Sequence, residues 1–99
     1  MPDDDQPLDL RSIRDRLDLV DRRLVDVLGE RARLISEVIG FKRAHAMKVV
    51  DRAREDEMLE RIGAIAAGGD LDPRIARQVL RSVIDAFTLL EVEQLGPDS

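Results

Sequence analysis

From Leu8 to Ala44 the chain contains no proline, and its apolar residues keep a rhythm of threes and fours: Leu10, Ile13, Leu17, Val20, Leu24 and Val27, then Leu34 and Val38. Residues at those spacings lie along one stripe of an α-helix, the seam by which it packs lengthwise against other helices. Gly29 and Gly40 each weaken the helix by about 1 kcal/mol, which the continuous seam outweighs. A helix from about Leu8 to about Ala44 would be ~55 Å long, well beyond the compact diameter expected for so short a chain. The rest of the chain is too small to cover such a seam. The pattern therefore predicts a homodimer in which the long helices of two copies intertwine.

One position breaks the rhythm. The step after Val27 falls on Arg31, a cation where the seam requires an apolar residue. A buried charge is costly unless paired, and Glu30 and Glu37, the nearby carboxylates, lie off the seam. Three readings are open: a side chain snorkelling at the edge of a bundle, a partner from elsewhere in the protein, or a seam that admits an anion. Lys42, 11 residues on, tips the balance toward the anion. It lies only about 20° off the same face and roughly 16 Å along the axis, so two long cationic side chains on one stripe can bracket a small anionic molecule.

The remaining segments read as two shorter helices. Residues 1–7 (MPDDDQP) form an acidic, apolar-poor tail expected to be disordered. Asp9 can cap the long helix. Arg43 to Val50 loses the stripe and reads as a connector, with His45 in a solvated loop. Asp51 is the N-cap candidate of a second helix, whose apolar face is Met58, Leu59, Ile62, Ile65 and Ala66; Gly68-Gly69-Asp70 ends it. Asp72-Pro73 starts a third helix, with a stripe of Ile75, Val79, Leu80, Val83, Ile84 and Phe87, which runs to about Gln94 before Gly96-Pro97. No strand pattern and no repeat occurs. The expected organisation is an all-α domain over residues 8–95 of three helices, one very long and two shorter, followed by a tail at 96–99.

Composition narrows the function. With two phenylalanines, no tryptophan and no tyrosine, the core must be aliphatic. A net charge of −5 argues against nucleic acid, which demands a basic footprint. There is no cysteine for a disulfide or a thiolate, and a zinc site is improbable with His45 the only histidine. No signal peptide and no membrane-spanning run is seen, so a cytoplasmic protein is the default expectation.

Two further features bear on chemistry. The stripe of the third helix continues from Phe87 to Glu91, a carboxylate that periodicity alone assigns equally to a site or to a frayed helix end. Asp51, Arg54 and Glu55 share the start of the second helix, a pattern also met in a capped helix with a surface ion pair. Arg14 stands 17 residues before Arg31, roughly 25 Å away on one rod, so the two cannot meet around a small ligand within one chain. In a two-fold dimer with antiparallel long helices, Arg14 of one copy can reach Arg31 of the other, giving two sites assembled from both.

The segments IRDRLDLVDRRLVDVLGERARLISEVIGFK and VVDRAREDEML resemble the all-helical class of chorismate mutase, without gaps from about Leu8 to Gln94. The most specific elements are the spacing of Arg14, Arg31 and Lys42 and the D-x-x-R-E of Asp51, Arg54 and Glu55. The resemblance implies an isomerase of the shikimate pathway and aromatic amino-acid biosynthesis, catalysing the [3,3] rearrangement of chorismate, a dianion, to prephenate. It implies no metal and no organic cofactor. Arg31, with Arg14 supplied in trans by the homodimer, would grip the two carboxylates, and Arg54 would support that network. Lys42 would donate to the ether oxygen, and Glu55 with the backbone of Asp51 would hold the ring hydroxyl.

Two positions depart from the family pattern. Phe87 stands where many relatives carry a serine that helps bind a carboxylate, and Glu91 replaces a glutamine that usually donates to the ether oxygen, although some relatives use glutamate. A carboxylate cannot donate a hydrogen bond and a carboxylic acid can, so the protonated form of Glu91 is expected to be the active one. The alternatives are a mutase acting on the 4-amino analogue of chorismate, a lyase that releases pyruvate from isochorismate, and a non-catalytic helical dimer. An aromatic at Phe87 and the Phe41-Lys42 pair resemble the lyase; the complete Asp51, Arg54, Glu55 set favours a mutase. An ammonium at ring carbon 4 would also suit Glu55.

Overall fold

A computed structural model of the protein describes residues 9–96. The expected tail at 1–7, the helix start at Leu8, and all but Gly96 of the expected tail at 96–99 lie outside the described residues. Three helices follow in order, α1 (Leu10–His45), α2 (Arg52–Ala67) and α3 (Pro73–Leu95). No strand occurs among the described residues, and none of the helices is long and apolar enough to cross a membrane. The chain divides into two compact units, one ending at Leu34 and the other beginning at Ile35.

The first unit is the cap and longer part of α1. Asp9 accepts the Ser12 backbone N–H at its Oδ1 (2.8 Å), satisfying one donor that a helix start leaves open, and its carbonyl takes the first regular helical bond from the Ile13 N–H (3.2 Å). Most of the predicted seam is open to solvent: Leu10, Leu17, Val20, Leu24, Val27 and Leu34 are all exposed, and Ile13 is half-buried.

The second unit holds the end of α1, the connector and the α2–α3 pair. α1 runs to His45, past the predicted exit at Ala44, so His45 belongs to the last helical turn and not to a loop. Two local interactions explain the extension. The His45 ring stacks on Phe41 with centroids 4.0 Å apart, and its Nδ1 lies 2.8 Å from the Phe41 carbonyl. Ala46 then turns the chain in the left-handed region (φ 51°), and the Met47 N–H donates back to the Lys42 carbonyl at 3.1 Å. That is the closing bond of a Schellman motif, here built without glycine.

The other boundaries agree with the sequence reading, with one difference in mechanism. Asp51 caps α2, accepting the Arg54 N–H at 3.1 Å. Asp72 caps α3 in the same way through Arg74, with Pro73 in the first turn. Gly68 ends α2 at φ −85°, and so does not use the freedom of a glycine. The helix closes instead by tight bonds three residues back, Gly68 to Ile65 and Gly69 to Ala66. Gly96 does use that freedom, at φ 85°. α2 packs against α3, and within this unit Ile39, Val49, Ala66, Ala76 and Ile84 are buried. At Gly63 the Arg77 guanidinium lies where a side chain would project. Two carboxylates are buried among these aliphatic groups, Glu55 and Glu91.

Candidate active site

A buried carboxylate must be met by a cation or by hydrogen bonds, and both of these are. Lys42, near the end of α1, donates from Nζ to Glu91 Oε1 at 2.9 Å and to the Val49 carbonyl at 2.8 Å. Its side chain retains 17 % exposure and that of Glu91 8 %, so the pair is largely withdrawn from water. Lys42 is fixed at both ends, since its own carbonyl closes the Schellman turn while its ammonium reaches the connector that follows. An ammonium has three protons, and two are thus directed. Arg43, next in sequence, donates to the Gln94 carbonyl at 3.2 Å, a second tie from α1 to α3. Glu91 is therefore no frayed residue: α3 continues past it to Leu95.

Glu55 is held by a different set. Arg81 Nη1 lies 2.8 Å from Glu55 Oε1 and Arg52 Nη1 lies 3.4 Å from the same atom. Arg81 also reaches Asp85 Oδ1 at 3.5 Å. The hydrogen bond to Glu55 raises the affinity of the Arg81 guanidinium for its proton further above the ordinary arginine value, an effect only partly opposed by desolvation. The ion pair at the start of α2 is thus between Arg52 and Glu55, whereas Arg54 takes part through its backbone and leaves its side chain exposed.

The residues singled out from sequence fall into three groups, with Phe87 apart from them. Lys42 and Glu91 touch. Asp51, Arg54 and Glu55 share the first turn of α2, with Asp51 as its cap. Arg14, exposed, and Arg31, half-buried, lie in the first unit on one continuous helix. Their 17-residue separation corresponds to roughly 25 Å, so they do not converge within a chain. Phe87 is half-buried on α3, one turn before Glu91. Sequence reasoning missed Arg81 and the Val49 carbonyl. Arg81 follows Leu80 at the edge of the apolar stripe, a position where long cations are common, so spacing alone did not mark it. The role of the Val49 carbonyl depends on the connector's path and had no sequence signal. Among the described residues, no group of three or more histidine, cysteine, aspartate or glutamate side chains is arranged to hold a metal ion.

Three helices with two charge-matched buried carboxylates, one facing the end of α1 and one at the start of α2, define an all-helical protein that carries polar chemistry in an aliphatic core. The chain belongs to the chorismate mutase type II family, whose model matches residues 13–92. Comparison with curated proteins and with solved structures gave no match.

Proposed function

We propose that the protein is a chorismate mutase, converting chorismate to prephenate by a [3,3] rearrangement in which the ether C–O bond breaks as the new C–C bond forms. The observation that carries this reading is the Lys42–Glu91 pair, an ammonium and a carboxyl group 2.9 Å apart in a nearly dry setting. Charge builds on the ether oxygen as the bond breaks, and donors already aimed at that point stabilise the transition state without reorganising. Lys42 supplies one donor, and Glu91 in its protonated form supplies the second. Holding the enol-pyruvyl arm over the ring removes most of the remaining entropic barrier.

Membership of the family extends the reading to the other side chains. Arg31, and Arg14 from a second copy, chelate the two carboxylates bidentately and never lose their charge. Arg54 supports them. Glu55, whose bonds from Arg81 and Arg52 both fall on Oε1, offers Oε2 to the ring hydroxyl beside the backbone of Asp51. The trans contribution of Arg14 requires an intertwined homodimer, and the exposed leucines and valines of the α1 seam support that state, since soluble monomers rarely leave such a stripe bare.

The test is direct. Chorismate added to the pure protein loses its ultraviolet absorbance as prephenate forms. Isochorismate is supplied in parallel with detection of pyruvate. Prephenate formation without pyruvate release bears out the mutase; pyruvate from isochorismate identifies a lyase. Inertness toward both, and toward the 4-amino analogue of chorismate, identifies a non-catalytic protein.

A further inference from the structure

Glu55 lies at the start of α2 with its charge already compensated. Two guanidinium groups, Arg81 from α3 at 2.8 Å and Arg52 from the preceding turn at 3.4 Å, converge on one oxygen, Oε1. The remaining partner of Arg81 is Asp85, at 3.5 Å and well exposed, so Glu55 is the closer and more buried claimant on that cation. A carboxylate in this state still accepts a hydrogen bond at Oε2 from a neutral donor. An ammonium brought to Oε2 is a third cation around a single negative charge. It would stand roughly 5–6 Å from Arg81, two hydrogen-bond lengths away. At that range, with the Arg81 side chain only one-third exposed, repulsion is reduced by solvent but not abolished.

Resting on the mutase reading above, we propose that Arg81, acting through Glu55, sets the specificity at ring carbon 4, selecting a substrate with a neutral hydroxyl there and rejecting the analogue with an ammonium. Arg81 is a positioning residue in this scheme and touches no reacting atom. It holds Oε1 so that Oε2 presents a fixed acceptor, and it supplies the positive field that a charged amine would oppose. The consequence is that chorismate, and not its 4-amino analogue, is the substrate of this protein.

The experiment compares kcat/KM for chorismate and for 4-amino-4-deoxychorismate in the wild type and in Arg81→Gln, Arg81→Lys and Arg52→Gln. The wild type should favour chorismate by about tenfold or more, and Arg81→Gln should narrow that ratio by about tenfold. The loss with chorismate should appear in KM more than in kcat, because the ring hydroxyl is held equally in ground and transition states. Arg81→Lys keeps the charge and should keep the ratio. Arg52→Gln changes a side chain that is 76 % exposed, whose loss costs the fold little, and should narrow the ratio by about two- to threefold. This variant decides the matter should Arg81→Gln fail to fold. A wild-type preference for the amino analogue, or a ratio unchanged in Arg81→Gln and Arg52→Gln, overturns the proposal and leaves the mutase reading standing. A ratio narrowed equally in Arg81→Lys also overturns it, since shape and not charge would then set the preference. A wild type inert toward both compounds removes the mutase reading itself and this inference with it.

Discussion

The ammonium of Lys42 lies 2.9 Å from the carboxylate of Glu91, joining the end of α1 to the end of α3 across 49 residues of sequence. The same ammonium is 2.8 Å from the Val49 carbonyl, so the connector, α1 and α3 meet on one nitrogen. A pair this withdrawn from water is costly to break, because removing one partner leaves the other charged and buried.

Glu91→Gln should leave the protein folded and active. Glutamine still accepts from Lys42 and always donates through its amide, whereas glutamate donates only when protonated. The kcat of Glu91→Gln should therefore equal or exceed that of the wild type, and Glu91→Ala, with neither donor nor acceptor, should lose about a hundredfold or more. An alanine variant as active as the wild type would remove Glu91 from the reaction. Lys42→Met, by contrast, strands the buried carboxylate and should destabilise the fold by about 3 kcal/mol as well as abolish activity.

Mixed dimers test the shared site. Arg14→Ala and Arg31→Ala should each reduce activity by roughly a thousandfold or more, as loss of a charged clamp does when it costs several kcal/mol. Chains of the two variants, mixed and allowed to exchange, should recover about a quarter of wild-type activity, because half the dimers are mixed and each carries one site with both arginines. Recovery absent after exchange has been demonstrated by mass would exclude the trans arrangement.

Leu24→Glu tests the seam itself. Leu24 is exposed within the chain. In the proposed dimer it is buried, where a leucine contributes about 1.5–3 kcal/mol and a carboxylate costs more than that. Sedimentation at micromolar concentration should show a dimer for the wild type and loss of the dimer, with loss of helical signal, for the variant. An unchanged dimer would place the interface elsewhere.

At the start of α3, the Arg74 side chain holds the Asp72 carboxyl below its ordinary value, aided by the Arg74 backbone N–H. A carboxyl with a lowered folded-state value adds stability above the pH at which it titrates in the unfolded chain, and loses it as pH falls through the folded value. Asp72→Asn retains a capping oxygen but no charge. The wild type should therefore melt at a higher temperature than Asp72→Asn near neutral pH, and the gap should close as pH is lowered below about 4. A gap independent of pH would assign the whole effect to capping geometry.

Ala46 occupies the left-handed region at φ 51°, where a β-carbon costs about 1–2 kcal/mol. Ala46→Gly relieves that strain but gives the unfolded chain more freedom, for a net gain of about 0.5–1 kcal/mol. Denaturant unfolding at fixed protein concentration measures it. A loss of stability would show that the alanine methyl group packs usefully in the turn.

The helices themselves were legible because they rest on local rules. A proline-free stripe specified α1, an Asp at each N-cap specified where α2 and α3 begin, and Asp72-Pro73 fixed the second of these to the residue. The end of α1 falls one residue beyond the expected Ala44, but His45 is helical and not in a loop, because its ring stacks on Phe41 and Ala46 adopts a glycine conformation, neither of which leaves a periodic trace. Lys42, Glu55 and Glu91 stood out as breaks or constellations in the pattern, and family membership now rests on the same stretch of chain.

The sequence by itself determined which residues are helical, which face of each helix is apolar, and which charged groups fall where an ordinary core would not admit them. Only the tertiary structure decided which of those charges meet: Lys42 with Glu91 and the Val49 carbonyl, and Glu55 with Arg81 in addition to its neighbour Arg52. The physical reason is one of range. Helix formation and capping act over three or four residues and are written in local spacing. The pairing of a buried charge is settled by the packing of helices 26 and 49 residues apart, where Glu55 finds Arg81 and Lys42 finds Glu91.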